Sequence, residues 1–459
     1  MRKILVVVIK GSINLFVSIR FIWPLVYLYS RVIEEVRPKS GKVDNNKPTI
    51  LAINPDRFRG DLEILANSKQ FRLLRLPFDW QCYILALFNI SEMMKKYGRD
   101  VYFNPRDNMK LIKKQYKSRK LLKIFLPSLY TRLKVDFVIG AAAHFRHDID
   151  WGMVSNEIGT PYIVLHRESA FMSSPKGFNW YSGFMKKRNG FKGRHIIVHS
   201  EIAREVFLDS DYIASKDISV LGNLRMDEYV ARVKSYNNAH FNKSSHIRKK
   251  VTLFSFVHGI GLEGLKFQHW SENHNQGFVR LFEHVHVSMA RLAMQMRDVD
   301  FVIKPKWGGS WITKIETVLK DNDIDVNKIK NLSILPDTNV HNLIFESAVV
   351  CAFQSTTMLE AAIHVDKKVI VPYFDEAKSS EYEGYLWFKD YYHLFDVAHS
   401  VDELDKLIIE GLEKPRRIDG GLLRKRYALF EKYVSSLEGD ALDKYVNVIN
   451  QVIKERQCV

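Results

Sequence analysis

The chain is short of cysteine, of acidic residues to balance its bases, and of any apolar run long enough to be unambiguous. Its three cysteines, Cys82, Cys351 and Cys458, are scattered through 459 residues without metal-ligand spacing. That excludes a disulfide framework and fits a reducing compartment, with Cys351 reading as a small core residue of its strand. Short-period repeats and low-complexity tracts are absent too. The apolar stretch 4–30 is interrupted by Lys10 and Arg20, whereas a bilayer crossing needs about 20 apolar residues. No small-residue cleavage site of signal-peptide type follows it. Two readings of this stretch stay open. One is an interfacial helix with snorkelling basic residues and Trp23, Tyr27 and Tyr29 at the boundary; the other is an ordinary first strand and helix of the fold.

The missing acid leaves a large excess of positive charge. Lys and Arg number 69 against 52 Asp and Glu, a formal charge of +17. Such a balance points to an anionic partner: a nucleotide-activated donor, an anionic lipid surface or a nucleic acid. The basic residues are spread over the chain and no compact nucleic-acid motif is present, so no nucleic-acid partner is expected. A hydrophobic fraction of 46% with 12% aromatics is that of a globular protein, and the length allows two or three domains.

The most informative stretch is 301–372. Phe301-Val302-Ile303 ends in Lys304-Pro305-Lys306. The β-branched run Ala348–Phe353 leads into Gln354-Ser355-Thr356-Thr357 and the helical Met358–Ala362, and Lys368–Pro372 closes the unit. Strands alternating with helices predict βαβ units on a parallel sheet, which bind ligands at the carboxyl ends of the strands. Ser355, Thr356 and Thr357 sit where a helix begins, and Lys304 and Lys306 follow a neighbouring strand, so this rim is a candidate nucleotide-phosphate site. Glu360, one turn into the helix, is placed to accept bonds from ribose hydroxyls. The alternative is a simple helix cap with Glu360 as its capping-box partner. Upstream, Val251–Phe256 is followed by His258, Gly259 and Gly261; glycines there permit close backbone approach to phosphate.

Further strands are predicted near 49–53, 71–76, 136–140, 162–165, 195–198 and 218–221. Three strand-end clusters stand out: Asp56–Asp61, Ala143–Asp150 and His166–Ser169. Transfer to a hydroxyl needs a base, and a retaining reaction could use a carboxylate nucleophile. His166, Glu168 and Asp148 are the catalytic candidates, each with a structural alternative as a paired or hydrogen-bonded loop residue. Arg225 and Asp227, after the strand near 218–221, are candidates for a pair or a donor contact, with a structural turn after Gly222 as the favoured alternative. His269 and His274 match no common zinc pattern, so no metal and no cofactor is expected; lysines and helix termini would supply the positive charge. The basic segment 110–123 reads as a solvated face, with contact to membrane phosphates as the alternative.

Two βα arrays around a polar connection give an α/β organisation. A basic apolar segment spans 1–44, an acceptor domain 45–235, a linker 236–250, a donor domain 251–405, and C-terminal helices 406–459. Three stretches, 220–227, 301–306 and 355–362 with 368–372, resemble the GT-B glycosyltransferases of bacterial surface-polysaccharide synthesis, near the Kdo-transferase and CDP-glycerol glycerophosphotransferase groups. The resemblance implies two Rossmann-like domains facing across a cleft, and a sugar moved from a nucleotide-activated donor, CMP-linked donors among the candidates, to a surface glycan or lipid-linked acceptor. It implies that Ser355, Thr356, Thr357 and Glu360 contact donor phosphates and sugar. Lys306 departs from the pattern, standing where many relatives carry histidine. The expected location is cytoplasmic, peripheral at the inner face of the plasma membrane. Alternatives are a CDP-polyol phosphotransferase, a nucleotide-sugar 2-epimerase, or a basic nucleic-acid-binding protein.

Overall fold

The computed structural model describes residues 22–39, 41, 44, 46–97, 100–105, 108–167, 169–240, 249–262, 276–413 and 417–457. The chain is α/β and divides into two units. The first takes in Met1–Glu168, Ser182–Asp227 and Asp440–Val459; the second takes in Ser169–Tyr181 and Glu228–Gly439. The sequence had drawn its borders at 45, 235, 250 and 405.

The first unit is built on seven strands: β1 (Glu34–Val36), β2 (Thr49–Ala52), β3 (Arg72–Arg75), β4 (Val135–Gly140), β5 (Tyr162–His166), β6 (His195–Val198) and β7 (Ile218–Val220). Their order is β1-β3-β2-β4-β5-β6-β7. All pairs are parallel except β1 with β3. Parallel strands are covered on both faces and so read as continuous apolar runs. Every residue of β2 and β5 is buried. The last helix, Ala441–Gln457, joins this unit's core through Tyr445, Ile449 and Val452.

Asp227 shows why that helix lies here. Its carboxylate accepts the backbone N–H groups of Ala441 (3.1 Å) and Leu442 (2.8 Å), two donors that a helix start leaves without an internal partner. Asp227 therefore does not pair with Arg225, because its oxygens are committed to this cap. Tyr29 also departs from its candidate role as an interfacial anchor. It is fully buried, packs edge-on to Phe125 and donates its hydroxyl to Trp80 O at 2.8 Å.

The second unit carries β8 (Lys250–Phe254), β9 (Asp300–Lys304), β10 (Leu332–Ile334), β11 (Val349–Ala352), β12 (Lys368–Pro372) and β13 (Asp396–Ala398). All are parallel, in the order β10-β9-β8-β11-β12-β13. The helices Val279–Gln295, Ser310–Asp321 and Val401–Glu413 contribute Phe282, Ile315 and Ile408 to its core. Among the described residues no helix is long and apolar enough to cross a membrane.

Candidate functional site

In the second sheet the chain steps outward from β8 to β9 and β10, then crosses back and starts β11 on the other side of β8. The order thus reverses between β8 and β11. At such a point the loops leaving the two strands diverge, and the space outside their carboxyl ends is the general binding position of open α/β sheets. Phe254 is level with both Lys304 on β9 and Ala352 on β11. Three loops therefore leave one level of the sheet: those after Lys304, Phe254 and Ala352. His258, Gly259, Lys306, Ser355 and Thr356 lie on them, and Thr357 opens the helix that follows the last.

The loop after β8 is anchored from below. Ser255 Oγ lies 2.8 Å from His286 Nε2 and accepts from Trp311 Nε1 at 3.2 Å, while His286 Nδ1 donates to Phe282 O at 2.6 Å. That bond places the imidazole proton on Nδ1 and leaves Nε2 to accept from Ser255. Burial pushes the His286 pKa down to about 4, so the ring is neutral at physiological pH. His258 is buried and its carbonyl takes the N–H of Phe278 at 2.8 Å. Gly261 has φ +76°, and a Cβ there would lie 2.4 Å from Gln354 Nε2. The loops after β8 and β11 thus touch, and only glycine fits the contact.

The loop after β11 turns at Gln354 (φ +52°). The Gln354 side chain is buried, accepts from Trp387 N at 2.6 Å and donates to Tyr385 O at 3.0 Å. Ser355 Oγ lies 2.8 Å from Thr357 Oγ1 and accepts Thr357 N at 3.3 Å. Thr356 precedes the six-residue helix Thr357–Ala362 but makes no side-chain cap. Its hydroxyl donates instead to Glu360 Oε1 at 3.0 Å, so the capping-box alternative is not what forms. Glu360 is buried, with Oε2 3.5 Å from His341 Nε2, and the His341 ring stacks on Tyr229 at 4.1 Å. Tyr229 in turn donates its hydroxyl to the Glu360 carbonyl at 2.7 Å.

Lys304 is 7% exposed and gives two of its three N–H groups to Pro305 O (2.8 Å) and Pro336 O (2.6 Å). Burial lowers its pKa, opposed by Asp337. It therefore locks the β9 loop to the β10 loop and keeps one N–H for other use. Lys306 is exposed.

The first sheet has the same construction. Its order reverses between β2 and β4, and the loops there are joined by a fully buried glutamine. Gln81 accepts from Asn54 N (2.7 Å) and donates to His147 O and Asp148 Oδ1, both at 2.9 Å. Asp148 and His166 reach the same end of this sheet, yet neither has any exposed surface. Burial raises the Asp148 pKa to about 7, against hydrogen bonds from Gln81 and Asn54 and the charge of Arg57. His166 Nδ1 accepts Ala143 N–H at 3.3 Å, and its ring packs against His144 and Phe207. Glu168, His269 and His274 lie outside the described residues.

Sequence reasoning missed the role of a charged group beside these residues. Asp61 is 2% exposed and lies 3.1 Å from Arg167 Nε and 3.4 Å from Arg225 Nε. Arg167 also donates to Arg57 O at 2.9 Å. Burial, then the charges of Arg167, Arg225 and His166, hold the His199 pKa well below the usual histidine value. The only signal in the sequence was that Arg167, His199 and Arg225 each fall within a few residues of a strand end, with Asp61 at the far end of the loop after β2. Among the described residues, no group of three or more His, Cys, Asp or Glu side chains is placed to hold a metal ion.

No protein-family model matches the chain, and no curated protein matches its sequence. Solved structures similar in fold include the Staphylococcus aureus MnaA–UDP complex, at TM-score 0.48 and 15% identity, covering 89% of this chain and 97% of that one. The wall teichoic acid polymerase TagF is similar at TM-score 0.46 and 12% identity over 98% of each chain. The UDP-GlcNAc 2-epimerase of Neisseria meningitidis bound to UDP-GlcNAc is similar at TM-score 0.44 and 13% identity, covering 88% of this chain and 99% of that one. The likeness is one of fold; the ligands and reactions in those descriptions belong to those proteins.

Proposed function

We propose that the protein is a GT-B-type glycosyltransferase that moves a sugar from a nucleotide-activated donor, CMP-linked in the simplest case, to a surface glycan or lipid-linked acceptor. The observation that carries this is the levelling of Lys304, Phe254 and Ala352 at the strand-order reversal of the second sheet. Hydroxyls of Ser355, Thr356 and Thr357, the backbone at His258–Gly259, and the ammonium groups of Lys304 and Lys306 would take the donor's phosphate oxygens. Positive charge from lysine in place of a metal then stabilises the leaving nucleotide. Glu360, already oriented by Thr356 and His341, would accept a sugar or ribose hydroxyl. The candidates for the base that takes the acceptor hydroxyl's proton are His166, Glu168 and Asp148. A carboxyl with a pKa near 7 suits proton transfer at neutral pH.

The test is a thermal-shift screen with CMP, CDP, UDP and GDP. A true ligand at a hundred times its dissociation constant adds about 2.7 kcal/mol. Ser355→Ala and Lys306→Ala are the informative variants, since Lys306 is exposed and Ser355 bonds only locally. Both should lose most of the shift while keeping the unliganded melting temperature. A full shift in both variants, or none with any nucleotide in the wild type, refutes the assignment.

A further inference from the structure

The helix Met109–Leu133 holds eight basic residues and no acidic one. Its exposed positions recur every three or four residues, Met109, Lys113, Tyr116, Lys120, Ile124, Pro127 and Thr131 among them, which makes one continuous face about 37 Å long. Lys110, Lys117 and Lys123 widen it. A solvated helix face normally mixes signs or pairs its charges. Here Lys123 has an acidic partner in Glu157, and the exposed lysines are interleaved with large apolar side chains: Met109 is 63% exposed, Tyr116 66% and Ile124 40%.

A second helix extends the face. Trp23–Val32 exposes Trp23 (60%) and Tyr27 (50%), four residues apart and hence on one side. Tyr27 lies between two guanidinium groups, with Arg31 5.2 Å and Arg132 5.3 Å from its ring centroid. Arg132 also donates to Ser30 Oγ at 2.8 Å, so the exposed side of the shorter helix adjoins the carboxyl end of the long one. Five of the seven exposed large apolar side chains among the described residues lie on these two helices. The sequence just before Trp23, residues 1–21, is itself apolar with scattered Lys and Arg.

We infer that this two-helix face is a docking surface for an anionic lipid membrane. Lysines attract the headgroups, while Trp23, Tyr116 and Ile124 enter the interface and the lysine stems lie along it. A nucleic acid would use the charge but leave the aliphatic side chains uncovered, which is why a bilayer is the better fit. The inference does not depend on the donor site, because its readout is vesicle binding and not turnover.

The experiment is co-sedimentation of the full chain with phosphatidylcholine vesicles, with and without phosphatidylglycerol. The wild type should bind only the anionic vesicles, more weakly as salt rises. A lysine near an anionic surface is worth about fivefold in partitioning, so K113E/K117E/K120E should reduce binding by about a hundredfold or more. W23S/Y116S should retain salt-sensitive attraction and lose the part that survives high salt. Circular dichroism of both variants should match the wild type, since every substituted residue is exposed. Unchanged binding by both variants overturns the inference, as does equal binding to neutral vesicles. Duplex DNA that outcompetes the anionic vesicles also overturns it.

Discussion

Replacing Asp148 with asparagine should stabilise the protein at neutral and alkaline pH. Burial raises this carboxyl from the usual 3.8 to about 7. Between those values the folded protein keeps a proton that the unfolded chain has released. Stability is therefore fully present below about pH 4, is lost as pH rises through about 7, and is level beyond that. A shift of about three units at 1.36 kcal/mol each sets an upper bound of about 4 kcal/mol. Asparagine keeps the shape and the oxygen that accepts from Gln81 Nε2 at 2.9 Å, but it has no charge to bury. Urea unfolding from about pH 4.5 to 8.5 should show the wild type weakening relative to the variant, with a gap of about 2–4 kcal/mol at the alkaline end. Parallel curves, or a variant that is less stable at pH 8, would refute the reasoning. The same variant bears on chemistry: if Asp148 carries the proton in turnover, kcat should fall and lose its dependence on a group near pH 7.

Asp150 is buried under Arg119, at 2.8 Å, and the hydroxyl of Tyr102; Asp150→Ala strands both and should cost about 3–5 kcal/mol in urea unfolding. Asp227→Ala removes the cap of the last helix and should cost about 1–2 kcal/mol, with early hydrogen exchange confined to the first turn of Ala441–Gln457. Gly261→Ala forces a methyl group into a left-handed conformation 2.4 Å from Gln354 Nε2. It should lower the melting temperature and remove any nucleotide-dependent shift, because the displaced amide is the one that fixes the loop carrying Ser355.

Runs such as Phe301–Ile303, Ala348–Phe353 and Lys368–Val371 announced β9, β11 and β12 because a strand buried on both faces must be apolar at every position. The edges carried no such mark. Glu34 and Glu35 lie in β1 because β3 supplies their counter-charges, Arg75 directly opposite Glu34 and Arg72 further along the strand for Glu35, each ion pair closing at 2.7 Å. The partners come from elsewhere in the chain, so no local pattern reveals the strand. β13, three residues beginning with Asp396, likewise exists through its pairing with β12. The last helix was legible by its periodicity, but its place was not, since that depends on Asp227 more than two hundred residues away. The ends of β8, β9 and β11 were legible because strand ends are set by local sequence. The cluster of Asp61, Arg167 and Arg225 was not, because it needs three loops to meet.

The two sheets meet one problem with the same kind of side chain. Where strand order reverses, two loops part and their backbone groups lose the sheet partners they would otherwise have. Each sheet has a buried glutamine beside that point: Gln81 takes Asn54 N and gives to His147 O across the reversal, whereas Gln354 takes Trp387 N and gives to Tyr385 O, tying the loop after β11 to the segment after β12. An amide suits the task because it offers donor and acceptor together without a charge to desolvate. Glutamate at either position would have only acceptors, and would set a carboxylate against a backbone carbonyl at about 3 Å. The result is a pair of fixed rims, so the groups aimed outward need little ordering when a ligand arrives. Polar residues buried near a strand-order reversal thus hold the neighbouring loops in place.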